Sequence, residues 1–177
     1  MYEIIAQIIG YIATAIVLIT FQFKTQKTII IFQFFSTALF TVHFYMLGLY
    51  AGALLNAVCA LRAIVFSQRE KKWAGHPLWI GVFVLLTFVS YFISVLYLKE
   101  NPTTLTYFIE LIPVIGNVIT TIGMRQDANM CRLYTLCASP LWLTYNIIGG
   151  SQGGIITEVF ASISIIIGML RLDRKKK

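Results

Sequence analysis

Residues 150–160 read GSQGGIITEVF, and residues 48–58 read GLYAGALLNAV. Laid over one another, Gly48 meets Gly150, Gly52 meets Gly154 and Asn56 meets Glu158. The register continues outward, with Phe40 on Trp142, His43 on Tyr145 and Arg69 on Arg171. A fixed offset held over this length marks an internal repeat. In each copy a glycine turn opens an apolar run that carries a polar side chain at the same place. Why a carboxylate should stand there depends on what surrounds the run.

The composition says that lipid surrounds it. Of 177 residues, 58% are apolar and 12% charged, whereas a soluble domain is about one quarter charged. Mean hydropathy is +0.80. Seven stretches approach the roughly 20 residues that a helix needs to cross hydrocarbon: Ile4–Gln22, Thr28–Leu47, Tyr50–Ser67, Pro77–Leu98, Thr104–Gly123, Met130–Ile148 and Gly153–Leu170. Their length and lack of alternation exclude strands, and helices satisfy their own backbone in lipid. The chain reads as an all-α integral membrane protein, one membrane domain over residues 1–177. The first stretch lacks a basic leader and a small-residue cleavage site, so it reads as a span rather than a signal peptide.

Net charge is +7, and its placement predicts topology rather than nucleic-acid binding. With alternate connections on opposite sides, one side receives Lys24, Lys27, Arg69, Lys71, Lys72, Arg125, Arg132, Arg171, Arg174, Lys175, Lys176 and Lys177. The other receives Lys99, and Arg62 lies inside a span. Basic short loops stay cytoplasmic, which places the N-terminus outside and the C-terminus inside. The terminal run Arg174–Lys177 suits the anionic face of a bilayer. The cysteines, Cys59, Cys131 and Cys137, form no CxxC pair and suggest packing rather than a metal site.

Each repeat holds three helices. The first covers residues 4–72 and the second 104–174, with Ile8-Ile9-Gly10 set on Val114-Ile115-Gly116 after an adjustment in the inner loop. The span at 77–98 has no counterpart. Three spans reverse the side of the chain, so one linker helix is what makes two copies parallel and relates them by an axis along the membrane normal.

This three, one, three order is similar to that of the SWEET sugar facilitators and their PQ-loop relatives. ELIPVIG (110–116), NIIGGSQGGIITE (146–158), HFYMLG (43–48) and LLNA (54–57) resemble more closely the YgjV family of bacterial inner-membrane proteins. The resemblance implies a fold and an inner-membrane location, and no substrate. The Pro-Gln pair of the PQ-loop group is absent, with Phe21-Gln22 and Met124-Arg125 in its place. Hinge prolines occur in the second repeat alone, as Pro113 and Pro140.

Short outer turns fix depth. His43 and Asn56 lie roughly 6–8 Å below the outer turn at 1.5 Å per residue, and Tyr145 and Glu158 repeat that geometry. In SWEETs, asparagines on the third helix of each repeat hold the sugar and tryptophans of the second helices cap it. By resemblance Asn56 and Glu158 take the first role, and Phe40 and Trp142 the second. Asn117, deeper on the fifth helix, is a further cavity candidate.

Charged groups inside spans cost on the order of 3 kcal/mol to insert, which singles out Arg62, Glu110 and Glu158. Dehydration favours the neutral acid. Glu158, with Glu110 at a similar height, is therefore expected to bind solute and exchange a proton, with Arg62 too deep for a comfortable pair. The glycines before Glu158 have no basic residue near them, which argues against a phosphate cradle. There is no HExxH helix, no paired-aspartate motif and no GxSxG, so neither catalysis nor a cofactor is expected. The sequence predicts a carrier or facilitator of a small polar solute embedded in the bilayer, complete without an oligomer. The other reading is a non-transporting scaffold, whose polar span residues would be used up in helix–helix bonds.

Overall fold

The computed structural model describes residues 2–173. These form α1 (Tyr2–Thr20), α2 (Gln26–Met46), α3 (Tyr50–Ser67), α4 (Leu78–Ile93), α5 (Thr104–Arg125), α6 (Ala128–Ile148) and α7 (Gln152–Gly168). The last turns of α4 and α7 widen to π geometry over Ser94–Leu98 and Met169–Asp173. No strand occurs among the described residues. Six helices, α4 and α7 taken with their final turns, are long and apolar enough to cross a membrane. The exception is α6, which has 21 residues but is diluted by Asn129, Arg132, Thr135, Ser139 and Asn146. The terminal run Arg174–Lys177 lies outside the described residues.

Local chemistry explains where the helices start. The side chains of Thr25, Thr103, Asp127 and Ser151 each accept a backbone N–H of the first turn, capping α2, α5, α6 and α7. Two turns are almost superimposable in their bonding. After α2, Leu47 N donates to His43 O and Leu49 N to Phe44 O. After α6, Gly149 N donates to Tyr145 O and Ser151 N to Asn146 O. Each turn ends its helix through a glycine with positive φ, Gly48 at 70° and Gly150 at 67°.

Packing follows a closed circuit. Helix contacts run α1–α2, α2–α3, α3–α5, α5–α6, α6–α7 and α7–α1, while α4 rests on α3 and α5 from outside. Small residues set the α1–α7 approach. A Cβ on Gly153 would meet Gly10 Cα at 2.9 Å, and the Thr14 hydroxyl bonds the Thr157 hydroxyl at 2.6 Å. Ala6, Gly10 and Thr14 are all buried on this face, as their spacing predicts. Large apolar side chains such as Ile4, Leu85, Phe108 and Ile163 point outward, as lipid contact requires.

The basic end is stitched by arginines on helix C-termini, where orphan carbonyls and the helix dipole attract cations. Arg69 donates to Arg125 O and Gln126 O at 3.0 Å, and Arg132 to Phe23 O at 2.5 Å. Arg125 reaches back to Gly75 O at 2.6 Å. Residues that the charge count uses for topology therefore also fasten the loops.

Candidate functional site

Inside the helix circuit lies a cavity of about 130 Å³, lined from α1, α2, α3, α5, α6 and α7. Six of the residues singled out from the sequence share its wall: Phe40, Asn56, Arg62, Asn117, Trp142 and Glu158. Same-numbered faces of α2 and α6 meet it, as in Gln33 and Thr135, Thr37 and Ser139, Phe40 and Trp142, and Phe44 and Asn146. Each pair is separated by 102 residues, as are Asn56 and Glu158, and Cys59 and Ala161.

The aromatic residues form a roof on the side of the glycine turns. Phe44 stacks between Phe40 at 5.7 Å and Trp142 at 6.3 Å, measured between ring centroids. Above them sit His43 and Tyr145, which the cavity lining does not include. Both ring nitrogens of His43 are occupied, Nδ1 with Ala6 O at 2.7 Å and Nε2 with Ser151 Oγ at 2.8 Å. Tyr145 Oη accepts from Gly52 N at 3.1 Å. The two thus tie α2 to the start of α7 and α6 to the first turn of α3. In this conformation both side chains fasten helices at the end that carries the glycine turns, and neither lines the cavity.

Glu158 meets the cavity half-buried, and its Oε2 accepts from the Ser139 hydroxyl. Its bonded partners include no cation. Glu110, expected beside it, instead pairs with Lys99 at 3.2 Å and is absent from the lining. The end of α4 brings Lys99 over the outer part of α5, so the carboxylate is drawn to that cation and away from the central cavity.

Arg62 carries the opposite charge. It is 3% exposed and lines the deeper wall. Its Nη1 donates to Asn117 O and Oδ1 at 3.2 Å and to the Thr121 hydroxyl. Its Nη2 donates to Cys59 Sγ at 3.3 Å. None of these partners is a carboxylate. Asn117 also donates to Thr87 Oγ1 at 3.0 Å, so one amide knots α3, α4 and α5. Asn56 bonds within its own helix, to Gly52 O at 2.9 Å.

Three further atoms on cavity-lining residues are buried and without a partner: Gln33 Oε1, Asn146 Oδ1 and Arg62 Nε. Buried polar atoms are normally bonded, and three of the five such orphans among the described residues belong to residues of this one cavity. Sequence reasoning left Gln33, Ser139 and Asn146 out of the site. The signal was present in α6, where Thr135, Ser139, Trp142 and Asn146 recur at helical spacing on one face. Among the described residues no group of His, Cys, Asp and Glu side chains could hold a metal ion.

Residues 4–176 match Imp-YgjV, a family described as bacterial inner membrane proteins. The chain belongs to the YgjV family. It is 26% identical to the inner membrane protein YgjV of Escherichia coli (strain K12), over 98% of this chain and 87% of that one. No solved structure matches. With its apolar helices, this member of the YgjV family is a multi-pass protein of the bacterial inner membrane.

Proposed function

We propose that this YgjV-family chain is a SWEET-like carrier or facilitator of a small polar solute. The observation that carries the reading is the central cavity, where unpartnered polar atoms and two isolated charges gather between the halves of the chain. A passive bundle gains nothing by leaving such atoms unbonded, since each costs about 1–3 kcal/mol.

The repeat reading makes this site the meeting place of two three-helix units, residues 4–72 and 104–174, joined by the linker at 77–98. It is supported by the contacts among the six helices other than α4, which remain the same list when α1, α2 and α3 are exchanged with α5, α6 and α7. The paired turns at Gly48 and Gly150 and the wall residues 102 apart support it too. On α1 and α5 the wall pairs Val17 with Thr120 and Phe21 with Met124. That favours a register three residues from the one that sets Gly10 on Gly116. A unit complete in one chain needs no oligomer.

In this reading Asn56, Glu158 and Asn117 hold the solute, Phe40 and Trp142 cap it, and His43 and Tyr145 belong to the outer gate. Glu158 bears the exchangeable proton, and Glu110 acts at the gate through Lys99. The chain is not an enzyme, takes no cofactor and binds no nucleic acid. Its N-terminus faces the periplasm and its C-terminus the cytoplasm, so a C-terminal alkaline phosphatase fusion is expected to be inactive. Activity in the periplasm would reverse the orientation.

A scaffold reading has its own support. His43, Thr14, Arg62 and Asn117 all spend hydrogen bonds on neighbouring helices. Thermal shifts of the purified protein across a panel of sugars, nucleosides and amino acids, followed by proteoliposome uptake of each hit, separate the two. A carrier gives at least one solute that both stabilises the protein and enters the vesicle. A panel with neither effect favours the scaffold.

A further inference from the structure

We propose that the cavity takes a small zwitterion of the α-amino-acid class, its ammonium between Glu158 and Asn146 and its carboxylate on Arg62. This deepens the carrier reading above and rests on it. Glu158 and Arg62 are the two oppositely charged residues on the wall. Neither is answered by the protein. Glu158 is bonded by a serine hydroxyl, and Arg62 by amide, hydroxyl and thiol groups. One uncompensated pole of each sign on a shared cavity is complementary to a solute that carries both charges.

The two poles lie at different depths along the cavity. The helices that hold the poles both run inward from outer turns. Arg62 is twelve residues beyond Tyr50, the start of α3, and Glu158 is six beyond Gln152, the start of α7. Six residues of difference amount to roughly 9 Å of rise. A charge-assisted hydrogen bond at each end takes about 2.8 Å. Between those bonds there is room for a short solute, such as one whose ammonium and carboxylate flank a single Cα.

The remaining wall fits the same class. An ammonium offers three donors, and Asn146 Oδ1 is a buried acceptor with no partner. It stands one turn above Glu158, over Gly154, where a Cβ would fall 2.2 Å from it. The volume of about 130 Å³ is close to that of the roughly 150 Å³ cavity known to hold benzene, a solute of about six heavy atoms. Alanine and serine are of that size. Gln33 Oε1, at the depth of Arg62, is left for water or a side-chain hydroxyl. A neutral polyol of the same size leaves both poles unanswered, and a diamine or dicarboxylate sets like charge against one of them.

The test compares L-serine with its two halves and a neutral mimic: ethanolamine, 3-hydroxypropanoate and glycerol. Each is titrated by calorimetry into the purified full-length protein in nanodiscs, then offered in labelled form to proteoliposomes. Serine is expected to bind at least tenfold more tightly than either half, with glycerol weakest. Glu158→Gln should weaken serine about tenfold while leaving 3-hydroxypropanoate unchanged. Arg62→Lys, which keeps the charge where Arg62→Gln risks the fold, should retain serine over ethanolamine. Binding and uptake of glycerol, or of one half as tightly as serine, would overturn the zwitterion while the carrier stands. Silence of all four, together with uptake of an unrelated solute, would do the same. Silence of all four and of the wider panel would bring down both.

Discussion

Gly48 and Gly150, 102 residues apart, hold the same left-handed backbone, with φ of 70° and 67°. A Cβ on either would meet nothing within 4 Å. Each alanine substitution therefore costs backbone strain alone, about 1–2 kcal/mol. Gly48→Ala and Gly150→Ala should lower the thermal midpoint in detergent by similar amounts. A large loss at one and none at the other would mean that the turns are not equivalent.

Gly153 makes the contrasting case. Its missing Cβ leaves room for the Gly10 backbone, at 2.9 Å from Cα and 3.0 Å from the carbonyl carbon. Backbone cannot rotate aside as a side chain does, so Gly153→Ala should pry α1 from α7 and cost about 1–3 kcal/mol. Gly81, on the outer face of α4, meets nothing within 4 Å. There alanine should gain up to about 1 kcal/mol from helix propensity. Chemical denaturation of the two variants side by side checks both signs.

The asparagines should separate in the same way. Asn117 accepts from Cys59 and Arg62 and donates to Thr87. Asn117→Ala leaves a buried guanidinium short of an acceptor and should cost about 3 kcal/mol. Asn56 bonds the carbonyl one turn back, and Asn56→Ala should cost under about 1 kcal/mol, near the average for such bonds in membranes. Its effect should fall on solute binding instead. Equal destabilisation of the two would contradict the network described for Arg62.

Much of this arrangement was legible in the chain. Lack of charge marked the helices, and Gly48 and Gly150 marked two like turns, because a positive φ ties glycine to one place in the turn. The register of α1 on α5 was less visible. Gly10 and Gly116 are packing residues against His43 and Trp142, and a packing glycine can shift a turn where a turn glycine cannot. Asn56 and Glu158 line one cavity, but depth along a helix says nothing of rotation about it. His43 and Tyr145, read at the same level, are absent from the lining. Nor does sequence show which cation a carboxylate will find, and Lys99, at the far end of α4, draws Glu110 away from Glu158.

Glu158 brings the last expectation. The Ser139 hydroxyl donates to its Oε2, while Ser162 donates to Glu158 O at 2.8 Å and to Ser139 Oγ at 3.1 Å. Glutamine keeps an acceptor for Ser139 and nearly the same shape, so Glu158→Gln should fold within about 1 kcal/mol of the parent, the net worth of one hydrogen bond. If the carboxyl only joins α7 to α6, uptake by the variant at saturating solute will follow the parent at every pH. If it exchanges a proton as the cavity changes sides, the variant will still move solute but will no longer respond to an imposed pH gradient, because the amide has no proton to give up. Proteoliposomes loaded and diluted at different pH, with parent and variant in parallel, measure this directly. A parent protein whose uptake is indifferent to the gradient would end the coupling idea and leave Glu158 as a hydrogen-bonding and charge-bearing ligand of the cavity.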